Sequence, residues 1–293
     1  MSEAETVRLA VRKTYKLYIG GAFPRSESGR SYVVTSSGGD FLANASRASR
    51  KDARDAVSAA RKAFPGWWGA TPYNRGQILY RVAEMLEGRR AQFVAELADA
   101  GVRKARDAGR VVDAAVDRLV WYAGWSDKIA AVAGSTNPVA GPYFNVSSPE
   151  PTGVVAVVAP DDPLLGLVSV IAPVIVTGNT CVVVASERAP LPSITLAEVL
   201  ATSDLPGGVV NVLTGSVAEI APWLAAHMDV NAVDLTGVAD GDLAVACEEA
   251  AAENLKRVLR PSASAGTDWF ADPGTRRLTA FLETKTVWHP NGV

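Results

Sequence analysis

The sequence predicts an α/β protein built on a Rossmann-like, doubly wound parallel sheet. Three observations carry that expectation. Short apolar runs at 154–158, 180–184 and 209–213 read as buried strands, and the stretches between them have helical composition. Such strand–helix–strand alternation is the signature of parallel sheets covered by helices. The stretch VVAVVAPDDPLLGLVSVIAPVIVTGNTCVVVASE also places a turn, Pro160-Asp161-Asp162-Pro163, at the carboxyl end of a strand. That is where the ligand crevice of an open α/β sheet lies.

Taken in order, the chain begins with a polar leader. YKLYIGGAFPRSESGRSYVV then alternates aromatic and β-branched residues around Gly20-Gly21 and predicts a hairpin. The run ASRASRKDARDAVSAARKAF has helical spacing, with Ser49 as its N-cap and Asp52 three residues on, close to a capping box. Pro65-Gly66 is expected to stop that helix. From Thr71 to about Ala130 the pattern is almost wholly helical: Ile78, Leu79, Val82, Met85 and Leu86, then Phe93, Val94 and Leu97. Gly101, Gly109 and Gly124 are the expected interruptions. STNPVAGPYFNVSSPEPTG, rich in proline and β formers, reads as an extended arm or hairpin. Beyond the three apolar runs a further strand is expected at 230–235, then Gly237 and the helix GDLAVACEEAAAENLKRVL. PSASAGTDWFADPGTRR has neither period, and LTAFLETKTVWHP reads as a β-like tail.

Composition narrows the function. A net charge of −2 without a basic patch argues against a nucleic-acid partner. No apolar run reaches the roughly 18 residues of a membrane span. The opening MSEAETVRLAVRKTYK lacks the apolar core of a secretory signal. Cys181 and Cys247 cannot form a disulfide framework, so a reducing cytoplasm is the expected location. With His227 and His289 they show no metal-ligand spacing, and no metal is expected.

Several stretches resemble the aldehyde dehydrogenase superfamily, in its order. KLYIGG, AARKAFPGWWGATPYNRGQIL and DRLVWYAGWSDK are similar to its N-terminal helical block. GPYFNVSSPEPTGVVAVV resembles its oligomerisation hairpin leading into the first Rossmann strand. APVIVTGNTCVVVASERAPL, LPGGVVNVLTG and VDLTGVADGD resemble its cofactor-binding core, and AENLKRV the run before its catalytic Glu. LETKTV resembles its last strand, which crosses a dimer interface to extend a neighbour's sheet. In the family a complete catalytic domain lies between those last two motifs; here only about twenty residues separate them, too few for a domain of ordinary size. The deletion resembles the C-terminal pseudoenzyme half of the two-module family 16 enzymes, whose ending is similar to TKTVWHP.

The resemblance implies an organisation. Residues 1–131 form the N-terminal hairpin and helical part of the cofactor-type domain, and 132–151 the oligomerisation hairpin. The Rossmann-like core spans 152–260, a linker in place of the catalytic domain 261–277, and the C-terminal oligomerisation strand 278–293. The resemblance also implies an eroded site. Aldehyde oxidation in this family needs a thiolate nucleophile, an oxyanion donor, a base and a nicotinamide cofactor. The nucleophile belongs to the missing domain, and Cys181 and Cys247 read as small buried hydrophobes. Asp161 takes the oxyanion Asn position, where a carboxylate has no N–H to offer. Pro261 takes the general-base position. Of the cofactor contacts, Glu187 and Gly237 remain, Val184 replaces the family's ribose-binding Lys, and Asp240 and Asp242 compete with a pyrophosphate. No catalytic residue is assigned, and NAD or NADP binding is expected to be weak or lost. Asp161 and Asp162 are expected to diverge and cap the following helix.

The expected function is a non-catalytic homologue that assembles with a complete, NAD(P)-dependent aldehyde dehydrogenase subunit, or with itself. Tyr143, Phe144, Val146, Thr284, Lys285, Thr286, Val287 and Trp288 would carry the association. The alternatives are a cofactor-binding component of an aldehyde-oxidising complex, and a stand-alone small-molecule-binding regulator.

Overall fold

A computed structural model describes residues 13–101, 105–261 and 267–291. The polar leader through residue 12, the helical expectation at 102–104 and the turn-rich stretch 262–266 lie outside the described residues.

The chain begins with β1 (Thr14–Tyr15), β2 (Ser31–Thr35) and β3 (Phe41–Ser46), a small sheet with β3 in the middle. Gly20 and Gly21 both have positive φ and close a two-residue turn bridged by Ile19 and Ala22, as the hairpin expectation requires. The two arms do not, however, pair with each other beyond that turn. β2 pairs antiparallel with β3, β1 runs parallel to β3, and Tyr18 bridges to Val212.

Five helices follow: α1 (Arg50–Gly69), α2 (Pro72–Gly88), α3 (Arg90–Asp99), α4 (Ala105–Ala123) and α5 (Ile129–Ala133). The capping box at α1 is complete. Asp52 N–H donates to Ser49 Oγ at 3.3 Å and Ser49 N–H to Asp52 Oδ2 at 2.8 Å. Asp52 is buried and also accepts from Ser26 Oγ at 2.7 Å and Glu27 N–H at 3.1 Å, tying the N-terminal turn to the helix. Contrary to expectation, α1 runs through Pro65. Its last turn is held by buried Trp67, whose indole N–H donates to the Ile175 carbonyl at 2.8 Å, and that anchoring outweighs the one helical bond proline forfeits. Gly101 does interrupt the block, with φ +62° and Ser37 where a Cβ would stand. Gly124 lies just past the end of α4, but Gly109 sits inside that helix, where Arg90 packs over it.

Next come β4 (Ser135–Asn137) and β5 (Tyr143–Pro151), an antiparallel hairpin. The Rossmann-like core comprises β6 (Val154–Val158), α6 (Leu165–Val176), β7 (Thr180–Val184), α7 (Leu191–Ala201), β8 (Val210–Leu213), α8 (Val217–Ala226), β9 (Ala232–Asp234), α9 (Gly241–Ala252) and β10 (Arg257–Leu259). Its five strands are all parallel, in the order β10-β9-β6-β7-β8. The two-residue period of a strand sorts their side chains. Val154, Ala156 and Val158 pack on one face with α1, α8 and α9, while Val155, Val157, Cys181 and Val183 pack on the other with α6 and α7. α6 is buried along its whole length. LKRV, expected to continue the α9 helix, is instead a turn at Leu255 and Lys256 followed by the first two residues of strand β10. Leu255 turns the chain with φ +56°, and the Leu255 and Lys256 N–H groups close the helix on the Ala252 and Ala251 carbonyls.

The chain ends in α10 (Arg276–Thr279) and β11 (Leu282–Pro290), so the β-like tail has a helical start. β11 pairs antiparallel with β5 of its own chain, in register from Leu282 against Pro151 to Pro290 against Tyr143. β11 fills one edge of β5 in cis, and its own outer edge, the one expected to extend a neighbour's sheet, has no strand paired to it among the described residues. Asp52→Ala should lower unfolding stability by roughly 2 kcal/mol, since it removes a cap and the charged acceptor of the Ser26 hydroxyl and the Glu27 N–H. Urea denaturation checks this.

Candidate functional site

The strand order reverses between β6 and β9, and the turns leaving those strands line the crevice. The two turns touch. Gly237 N–H donates to the Val158 carbonyl at 3.0 Å, and a Cβ on Gly237 would lie 2.0 Å from the Ala159 carbonyl oxygen. Glycine is required here by close packing of backbone on backbone. Asp161 and Asp162 diverge. Asp161 Oδ1 accepts from Ser186 Oγ at 2.8 Å, and Asp162 Oδ1 accepts from Gly166 N–H at 3.0 Å in the first turn of α6.

On the β7–β8 side, Glu187 accepts the Val217 N–H at the start of α8, whose N-cap Ser216 makes no side-chain cap of its own. Tyr32, Arg47, Glu187, Gly215 and Ser216 enclose a cavity of about 190 Å³. Burial pushes the Tyr32 phenol well above the usual tyrosine range. Val184 is a buried apolar residue at the end of β7. At α9, Asp240 accepts the N–H groups of Asp242 at 2.9 Å and Leu243 at 3.3 Å. A helix N-terminus attracts an anion through just such donors, and here the chain's own carboxylate holds them.

Neither cysteine reaches the crevice. Cys181 is buried in β7, where burial pushes its thiol far up, and Cys247 is buried in α9 with its thiol pushed up to about 11. A thiol so shifted is not a ready thiolate nucleophile. No group of three or more His, Cys, Asp or Glu side chains that could hold a metal occurs among the described residues.

At the ends of β9 and β10, residues 267–277 lie over the sheet and line a second cavity of about 520 Å³. Two arginines hold this segment down. Arg118, buried in α4, donates from Nη1 to Ser169 Oγ at 2.9 Å and from Nη2 to the carbonyls of Trp269 at 2.7 Å and Ala271 at 3.0 Å. Arg277 donates from Nη1 to Asp234 Oδ2 at 2.8 Å and from Nη2 to Thr236 Oγ1 at 2.8 Å. Asp234 is fully buried. The Trp269 ring lies against the α6 N-terminus, so close that a Cβ on Gly166 would stand 3.2 Å from it. Pro261 lines this cavity and offers neither an acidic side chain nor an N–H. Of these anchors, only Asp234 left a trace in the sequence, as a carboxylate inside an apolar strand run. Arg118, Trp269 and Arg277 stand in no pattern that spacing could single out.

The family profile described as "Aldehyde dehydrogenase family" matches residues 23–261. The chain belongs to the aldehyde dehydrogenase family. It is 34% identical over 247 residues to an aldehyde dehydrogenase of Alternaria alternata, covering 83% of this chain and 49% of that protein. Retinal dehydrogenase 2 of Gallus gallus is 32% identical over 259 residues, covering 86% of this chain and 49% of that one. Among solved structures, the NAD+ complex of an aldehyde dehydrogenase from Bacillus cereus superposes with a TM-score of 0.79 at 28% identity, over 84% of this chain and 50% of that chain. The chain thus spans about half the length of these aldehyde dehydrogenases.

The cofactor that the family implies can be tested against the residues present. The N–H donors of α9 are held by Asp240, Asp242 stands in its first turn, Glu187 is committed to α8, and Val184 offers no donor. These residues do not fit a dinucleotide.

Removing one partner of a buried ion pair should cost about 3–5 kcal/mol. Asp234→Ala and Arg277→Met should each fall in that range by chemical denaturation. The double variant should lose clearly less than the sum, showing the two residues to be coupled.

Proposed function

We propose that the chain is a non-catalytic aldehyde dehydrogenase homologue that acts as a structural or regulatory subunit beside a complete, NAD(P)-dependent relative or another copy of itself, in the cytoplasm. The crevice supports the first half of this reading. Asp161, which the resemblance puts at the oxyanion position, accepts from Ser186; Pro261, which it puts at the base position, has no acidic side chain; and both thiols are buried away from the cavities. No helix among the described residues is long and apolar enough to cross a membrane.

The observation that carries the assembly reading is the sheet β11-β5-β4. Its register puts Tyr143 and Trp288 on one face and Phe144, Val146 and Val287 on the other. Tyr143, Phe144, Val287 and Trp288 remain between 37% and 55% exposed. Along β11, Thr284, Lys285 and Thr286 continue an edge with no further strand paired to it among the described residues. A small sheet with apolar side chains on both faces and an open edge is suited to a partner's surface. The 520 Å³ cavity favours a second reading, a small-molecule-binding regulator.

Native mass spectrometry of the chain purified from its own host tests the assembly reading. The expected result is a fixed-ratio complex with a full-length aldehyde dehydrogenase or a defined homo-oligomer, lost on deleting residues 282–293. Phe144→Asp with Trp288→Asp should disperse the complex while leaving the circular dichroism of the core unchanged. A complex that survives both changes overturns the reading. The isolated chain should form no NADH from NAD and an aldehyde, and millimolar NAD should leave its Tm unmoved.

A further inference from the structure

The cavity under the β10–β11 connection contains a polar group that the fold leaves unanswered. Tyr122 on α4 is wholly buried and lines the cavity; Arg118 can only donate to its oxygen, and the phenol O–H has no acceptor among the described residues. Leaving a buried hydroxyl unpaired is costly, and such groups mark strain, water or a ligand. Burial pushes the Tyr122 phenol up to about 12 against the opposing pull of Arg118 and Arg277, so at neutral pH it is a donor set among cations.

Four arginines line the same space: Arg118, Arg260, Arg276 and Arg277. Arg277 is balanced by Asp234 and Arg260 by Glu248. The other lining carboxylates, Asp268 and Asp272, turn back on the chain to accept the Phe270 N–H at 3.0 Å and the Gly274 N–H at 2.9 Å. Arg118 is spent on neutral oxygens, so its charge faces the cavity without a carboxylate partner. The Arg276 guanidinium, on α10, has no hydrogen bond or ion pair among the described residues, while the Arg276 carbonyl accepts from Thr279 Oγ1 at 3.3 Å. Leu259, Pro261 and Trp269 supply the apolar part of the lining, with the Arg277 guanidinium over the Trp269 ring at 5.4 Å. At about 520 Å³ the space is of the size that small-molecule sites occupy.

We propose that this cavity binds a small organic anion, its carboxylate or phosphate head taken by the Tyr122 hydroxyl and the Arg276 guanidinium beside the fixed charge of Arg118, and its body laid on Trp269. Hydrogen bonds to an ionised acceptor are stronger than neutral ones, and the orphaned phenol gains the partner that the fold withholds. The site is built from the short connection and from α4, so it does not depend on the chain's assembling with a partner.

Benzoate and phenyl phosphate, which share a ring and differ in head group, are the probes, with sodium chloride at matched ionic strength as control. Thermal unfolding and calorimetric titration of the full chain should show saturable binding of at least one, and which one binds identifies the head group. Tyr122→Phe and Arg276→Gln should each weaken that binding by roughly tenfold or more. Tyr122→Phe removes only a hydroxyl and Arg276 is exposed, so the ligand-free Tm of both variants should match the parent. Absence of saturable binding by either probe overturns the proposal, as does binding that both variants retain unchanged.

Discussion

A carboxylate buried at the end of a central strand dictates much of this architecture. Asp234 stands where β9 delivers its last residue into the crevice, with no exposed surface. A charge held there without a counter-charge would cost several kcal/mol, so some cation must come to it. Arg277 is that cation, and it sits on the short connection. To reach Asp234, the connection must fold across the ends of β9 and β10. Arg118 then fixes the fold-back by donating to two of its carbonyls, and Trp269 closes against the start of α6. The same path brings β11 back alongside β5. One ion pair thus decides both what roofs the crevice and where the chain's last strand lies.

The rest of the crevice follows a related rule: donors that could receive an external anion are answered from within. Asp240 takes the first N–H groups of α9, Glu187 the first of α8, and Asp162 one at the start of α6. Each stabilises its helix by complementing the positive end of the dipole. Each also makes binding a phosphate or an oxyanion there an exchange of one anion for another, with little net gain. The chain therefore retains the aldehyde dehydrogenase fold while its helix termini serve stability. The two cysteines fit the same account, since each is packed into one of the two cores flanking the sheet.

How much was legible in advance depended on whether the signal was local. The capping box at Ser49 and Asp52, the two-glycine turn and the strands at 154–158 and 180–184 are written in short patterns, and the structure has them. Pro65 misled because a tertiary contact, Trp67 on the Ile175 carbonyl, overrides a local breaker. LKRV misled because its helix is ended by Leu255 in a left-handed conformation that no glycine announces. In the crevice, the divergence of Asp161 and Asp162 was readable from their proline-bounded turn. Arg118 and Arg277 were not, because each is defined by partners 40 or more residues away: Ser169 and Trp269 for one, Asp234 for the other.

Pairing β11 in cis changes what the outer sheet can offer. Had the strand left to join a neighbour, β5 would keep an open edge along its whole length. With β11 in place, the β5 backbone is answered on that side, and the open edge moves outward by one strand. Lys285 pairs with Glu150 across this register and Glu283 with Arg257 of β10, both too exposed to contribute much individually. Three strands with apolar side chains on both faces cannot build a core between them, and such sheets need packing from outside to be stable. Little of that comes from the chain itself, where α5 touches β5 and the aromatic pair of Tyr143 and Trp288 covers only part of one face. The surface left over is Tyr143 and Trp288 on one face and Phe144 on the other, beside an unpaired edge. Backbone groups at Thr284, Lys285 and Thr286 would set the register of any strand added there, and the Lys285 charge is already answered by Glu150.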